Sequence, residues 1–265
     1  MRGFDPGEFF DVTAAGHRLR AQWIGGAGAP GARSLVFLHQ GLGSIPQWKG
    51  FPVALCRATG LAGLVYERWG FGGSETLALP RPANHLDLEA ERVLPEVLEA
   101  CAVTRPVLIG HSDGGTIALL HAAAFPDRVA ACLTVAAHVF VEETGRDTIR
   151  AVMARWETGD LHTRLAKYHG SNAEAMFRGW AETWLRADFR HWNMEARLPA
   201  ITCPTLVLQG AEDAHGSRAQ LKAIARGVSG PVETWMVPNC GHSPHLEARE
   251  AVVARMAEFI GGLPA

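Results

Sequence analysis

The stretch Ile109-Gly110-His111-Ser112-Asp113-Gly114-Gly115 sets a serine among small residues, directly after the apolar run Pro106-Val107-Leu108-Ile109 and before the helix-like Thr116–Ala122. A serine at such a junction is either a helix N-cap or a hydroxyl pushed into the open for nucleophilic attack. Gly110-His111-Ser112-Asp113-Gly114 is a G-x-S-x-G pattern, and strand–turn–helix flanks are the context that gives the pattern a chemical meaning. A serine hydroxyl is a weak nucleophile at neutral pH and needs a base to take its proton. His242, in the loop Pro238-Asn239-Cys240-Gly241-His242-Ser243-Pro244-His245, follows the last strand-like run and precedes the final helix. His245 competes for the role but lies closer to that helix. A carboxylate must in turn hold the base in one tautomer. Asp213 comes four residues after another strand-like run, and its neighbour Glu212 reads as a solvated loop charge. The backbone N–H of Asp113 is a natural donor to an oxyanion, with a second expected from the glycine-bearing loop His39-Gln40-Gly41-Leu42-Gly43-Ser44.

These residues need a scaffold that gathers them at one edge. Phe9–Ala14 and Arg18–Ile24 suggest an opening β-hairpin, followed by a flexible turn at Gly25–Gly31. Six short apolar runs come next: Ser34–His39, Ala62–Tyr66, Pro106–His111, Ala131–Ala137, Pro204–Gln209 and Val232–Val237. They lack polar alternation, as strands covered on both faces do. Asn84–Ala102, Gln220–Arg226 and Glu247–Gly261 read as amphipathic helices, with Pro95 marking a kink or break in the first. The alternation predicts an α/β fold with a mostly parallel central sheet of about eight strands and helices on both faces. Residues 139–198 contain no strand-like run and carry Trp156, Trp180, Trp184 and Trp192. They are expected to form a helical cap, or lid, on a core made of residues 1–138 and 199–265. Ligands of such sheets bind beyond the carboxyl ends of the strands, where His138 and the lid's Trp184 are candidate pocket residues.

The 265-residue chain is 48% hydrophobic and 20% charged, with a formal net charge of −2. That balance offers no electrostatic reason to expect nucleic acid or an anionic membrane as a partner. The five cysteines are scattered without a CxxC pair, which reads as reduced thiols and a cytoplasmic location. No signal-like start and no membrane-spanning run is legible. No metal-ligand cluster is apparent, and the expected partner is a small-molecule substrate. The oligomeric state is not legible.

Taken together, the His39–Ser44 loop, Tyr66-Glu67-Arg68-Trp69-Gly70-Phe71-Gly72-Gly73-Ser74, the serine turn, Gly210–Asp213 and Gly241-His242 resemble the α/β-hydrolase superfamily over nearly the whole chain. The resemblance implies a cofactor-free hydrolase with a Ser112-Asp213-His242 triad and a helical lid. Many relatives have His-Gly in the first loop where this chain has His39-Gln40. Ungapped counting puts the second oxyanion donor at Gly41, with Gln40 or Leu42 as alternatives, and Gln40 could also lend its side-chain amide to substrate. Tyr66-Glu67-Arg68 replaces the Asp often found ahead of the arginine, and Arg68 reads as an anchor between loops. Serine at 112 argues against the dehalogenases and epoxide hydrolases of this fold, which use aspartate. The leading expectation is hydrolysis of a small carboxylic ester or lactone through an acyl-enzyme. The alternatives are a carbon–carbon bond hydrolase of meta-cleavage type, a thioesterase or hydroxynitrile lyase, and, from another class, a receptor that binds without turnover.

Overall fold

Leu35 and Phe37 share one buried cluster with Val107 and Ile109, while Val36, Leu38 and Leu108 belong to another. Side chains alternate across a strand, so these two runs must have a packed layer on each face. The computed structural model, which describes residues 3–29 and 31–264, shows that arrangement. Pro30, in the glycine-rich turn after the hairpin, lies outside the described residues, as do residues 1, 2 and 265.

Eight strands form one sheet: β1 (Pro6–Ala14), β2 (His17–Ile24), β3 (Arg33–Leu38), β4 (Gly63–Tyr66), β5 (Arg105–His111), β6 (Ala131–Val135), β7 (Thr205–Gly210) and β8 (Val232–Val237). Their spatial order is β1-β2-β4-β3-β5-β6-β7-β8. Only the β1–β2 and β2–β4 pairs are antiparallel; from β4 to β8 every pairing is parallel. The strand order reverses between β4 and β5, and a crevice at such a point is where ligands enter open sheets.

Helix α1 (Phe51–Thr59) packs against the last helix, and Phe51, Leu55 and Cys56 help to cover the first face. On the other face lie α2 (His85–Leu88), α3 (Leu94–Ala100) and α4 (Asp113–Ala124). Pro95 does not break the α2–α3 segment. A π turn over Glu89–Val93 joins the two helices, with Leu94 N–H donating to Glu89 O, five residues back. Widening the turn there relieves the clash a proline ring makes with the preceding carbonyls.

Between β6 and β7 the chain forms α5 (Glu143–Thr158), α6 (Leu161–His169) and α7 (Ala173–Leu185), with a single bridge, Phe140–Asn193, at its base. Its aromatic residues mostly bind the segment to itself. Trp156 stacks on Phe177 at 4.0 Å and Trp192 on Phe189 at 5.5 Å. The chain closes with α8 (Arg218–Gly227), α9 (Pro244–Glu247) and α10 (Arg249–Gly261). Among the described residues, no helix is long and apolar enough to cross a membrane.

Candidate active site

Ser112 follows the last residue of β5 and caps α4 with φ 52° and ψ −120°, and its side chain accepts no capping hydrogen bond. A non-glycine residue there carries roughly 1–3 kcal/mol of strain. The cap reading of this serine therefore fails on geometry: a capping serine is extended and bonds the N2 or N3 amide. The turn is held by close backbone packing. A Cβ on Gly110 would run into the Gly114 carbonyl, and one on Gly114 into Leu38 O. The Ser112 amide donates to Val135 O at 2.9 Å, fixing the turn to the neighbouring strand. The amides of the first turn of α4, Asp113 among them, have no partner within the helix and point toward the serine.

His242 and Asp213 arrive from the loops after β8 and β7. His242 Nδ1 lies 2.9 and 3.0 Å from the two oxygens of Asp213. An ionised carboxylate only accepts, so Nδ1 carries the proton and Nε2 is left free as a base. Asp213 also accepts from the His215 amide at 2.8 Å and from Gln209 Nε2 at 3.3 Å. Burial opposes ionisation of Asp213, but the His242 hydrogen bond and charge, with the His215 amide, outweigh it and hold its pKa below the ordinary value. Glu212 is exposed, as a solvated loop charge should be.

The competing histidines are engaged elsewhere. His245 is buried against Trp48, Phe51 and His111, with ring centroids at 5.1, 5.3 and 4.5 Å, and burial drives its pKa down to about 3. His111 Nε2–H donates to the His242 carbonyl at 2.8 Å, so the residue before Ser112 anchors the backbone of His242. Among the described residues, no hydrogen bond joins Ser112 to His242. Such contacts are often loose in unliganded sites and tighten when substrate binds.

A cavity of about 20 Å³ touches Ser112 and is lined by Asp113, His138, Arg146, Trp184 and His215, among others. His138 and Trp184 are thus brought to the serine. His138 Nε2–H donates to His215 O at 3.1 Å, which leaves its Nδ1 as an unpartnered acceptor. Among the described residues, Trp184 Nε1 is a buried donor without a partner, while Arg146 Nε, also buried, makes no hydrogen bond but lies 3.6 Å from Glu143 Oε2. Gln40 lines a separate small cavity with His39, Gln47, Trp48 and His245. Gly41 faces inward, where a Cβ would strike Trp180 Nε1 and stand 3.1 Å from Asp113 Oδ2.

Arg68 sets the shape of that first loop. It is fully buried, donates through Nη2 to Gln40 O at 2.8 Å and to His39 O at 3.3 Å, and lies 3.9 Å from Asp113 Oδ2. Glu67, equally buried, accepts from both Arg20 Nε and Nη2 and from the Ile45 and Gly73 amides.

Two lining residues escape the reading of the sequence. Arg146 is the inward cation of residues 139–198, whereas Arg155, Arg164 and Arg190 are exposed. It donates to the carbonyls of Trp184, Leu185 and Arg186, closing the end of α7. The signal was its helical spacing from Ile149 and Trp156, which form the buried stripe of α5. His215 lies 4.5 Å from the His242 ring, and burial lowers its pKa to about 3.

Comparisons with known proteins agree with this architecture. The chain is 27% identical over 261 residues to a putative carbamate hydrolase, RutD, of Variovorax paradoxus (strain S110), covering 89% of this chain and 95% of that protein. A thermophilic esterase from Thermogutta terrifontis superposes with a TM-score of 0.69 at 21% identity, covering 96% of this chain and 98% of the other. A serine hydrolase involved in carbazole degradation (CarC) superposes with a TM-score of 0.74 at 16% identity and the same coverage, 96% and 98%. At these identities the two structures speak for the fold alone. The sequence profile of the alpha/beta hydrolase family matches residues 35–255, and the chain belongs to that family.

Proposed function

We propose that the protein is a serine hydrolase acting on a small carboxylic ester or lactone through an acyl-enzyme. The observation that carries this reading is the pairing of a strained, uncapped Ser112 with a His242 whose Nδ1 is committed to a buried Asp213. Ser112 Oγ attacks the carbonyl carbon as its proton passes to His242 Nε2. The backbone amides of Asp113 and Gly41 hold the oxyanion. On collapse, His242 gives the proton to the leaving oxygen and the acyl group stays on Ser112. Water, deprotonated by His242, then attacks the ester carbonyl; the bond to Ser112 Oγ breaks, His242 returns its proton to that oxygen, and the acid is released. Asp213 keeps the imidazole in the right tautomer and offsets the charge it gains.

Residues 139–198 act as the lid in this reading. Its α5 and α7 supply Arg146 and Trp184 to a cavity of about 20 Å³, roughly the room for one water. The free Trp184 Nε1–H suits a substrate with an acceptor atom beyond the scissile bond. A carbamate is a second reading of the same site, favoured by the likeness to the putative carbamate hydrolase. Five free thiols are in keeping with a reducing cytoplasm.

Burst kinetics with p-nitrophenyl acetate test the route. Wild type should release p-nitrophenol in a burst followed by turnover, and Ser112→Ala and His242→Ala should lose both. Turnover surviving in Ser112→Ala would rule the mechanism out. A matched series of ester, lactone and carbamate then ranks the bonds by kcat/KM.

A further inference from the structure

A further cavity, of about 120 Å³, lies away from Ser112 among the β1–β2 turn, the loop after β4 and the α2–π-turn segment. It approaches the roughly 150 Å³ that takes a benzene-sized ligand. A helix face turned inward is ordinarily apolar. Here His85, Leu88, Glu89 and Arg92, spaced as one face, line the space, and the helix makes its π turn at the same residues. Arg81 and Trp69 supply the facing wall. Pro82, Leu88 and Arg92 are exposed and form the mouth.

Three polar side chains on these walls are buried. Arg81, His85 and Glu89 are only 4%, 4% and 5% exposed. Among the described residues, Arg81 Nε and Glu89 Oε2 have no hydrogen-bond partner, and the His85 ring has only the nearby backbone of Pro82 and Ala83 to turn to. Buried polar groups are nearly always paired, so an orphaned donor and an orphaned acceptor on the walls of one cavity call for a partner from outside the chain. The charges identify it. The guanidinium of Arg68 acts most on the Glu89 carboxyl and that of Arg81 next, yet among the described residues Glu89 forms no ion pair within 4.0 Å with either. Arg81 is kept from closing on Glu89 because its Nη2 donates to Trp69 O at 3.0 Å and its guanidinium rests on the Phe71 ring at 4.8 Å. A cation and an anion held apart on the walls of a small pocket match a ligand that carries both opposite charges a few bonds apart.

We propose that this cavity binds a small amino-acid zwitterion, its carboxylate on Arg81 and its ammonium on Glu89, with His85 completing either end. The site is independent of the Ser112 chemistry. A neutral ester would leave both buried charges unmatched, and a simple carboxylate would meet Glu89 unpaired.

Titration of the full-length protein with glycine and L-alanine, followed by calorimetry and ligand-observed NMR, tests the assignment. One saturable site is expected, with acetate and methylammonium each binding about tenfold or more weakly, since each forfeits a charge-assisted contact. The near-isosteric Glu89→Gln should weaken alanine by a similar factor. Leu88→Trp, at the exposed rim, should block entry without disturbing the core, which covers the case in which Glu89→Gln misfolds. Absence of saturable binding by either amino acid would overturn the proposal. So would acetate binding as tightly as alanine, or alanine binding unchanged in both variants.

Discussion

At the residue scale, the proposed chemistry hangs on which nitrogen of His242 carries its proton. Asp213 decides this, because both of its oxygens lie within 3.0 Å of Nδ1 and its negative charge is secured by the His215 amide. Asn at 213 could present its amide N–H to the ring and force the opposite tautomer, leaving Nε2 protonated and useless as a base. Asp213→Asn should therefore lower kcat by roughly 10³–10⁴ with little change in KM. Steady-state kinetics checks this, and a variant within tenfold of wild type would show that another group orients His242. Asp213 and His242 were legible in the sequence because loop ends after strands face one side of a parallel sheet. His215 was not, since a histidine two residues past the carboxylate looks like any loop residue until the loop's curl is known. Gln40 was legible as a loop residue but not as one in another cavity. Its carbonyl is gripped by Arg68, a contact between residues 28 apart in the chain.

At the element scale, the sheet was readable because both-face burial leaves an unmistakable run of apolar residues, and the observed strands match the expected ones to within a few residues. The π turn was not, for it answers to a proline four to five residues beyond the carbonyls it displaces. Residues 139–198 carry α5, α6 and α7, held partly by one buried arginine. Arg146 satisfies three terminal carbonyls of the α7 end. Arg146→Met keeps much of the side-chain volume but orphans them, at about 1–3 kcal/mol for a buried acceptor left unpaired. Hydrogen exchange should speed up across α5 and α7 while the amides of β5–β7 keep their protection. Unchanged exchange in α7 would mean that the arginine does not hold this segment.

At the scale of the whole molecule, histidine burial dictates the response to acid. Of the 12 histidines, His39, His85, His111, His121, His138, His169, His215 and His245 all have lowered pKa values, with burial the largest cause in each. In the folded chain these rings stay neutral as pH falls, reaching pKa values of about 4 at His121 and about 3 at His215 and His245. In the unfolded chain each takes up a proton near pH ~6.5. The unfolded state then binds more protons, so stability falls as pH drops below that value, by up to ~1.4 kcal/mol per pH unit for each ring. Asp213, with its pKa lowered, acts in the same direction only at lower pH, as it approaches protonation. Against a typical stability of roughly 5–15 kcal/mol, even a few such rings make mild acid strongly destabilising. Thermal melts should show Tm dropping steeply between about pH 7 and 5, with proton uptake on unfolding. A flat profile over that range would contradict the burial of these rings.

The central claim is that Ser112 carries the acyl group. The most direct measurement is acid quenching of the p-nitrophenyl acetate reaction within the burst, followed by digestion and mass spectrometry of the peptides. One acetyl group is expected on the peptide containing Ser112, absent from Ser112→Ala and accumulating far more slowly in His242→Ala. An acetyl group elsewhere in wild type, or turnover with no acylated Ser112 at any quench time, would contradict it.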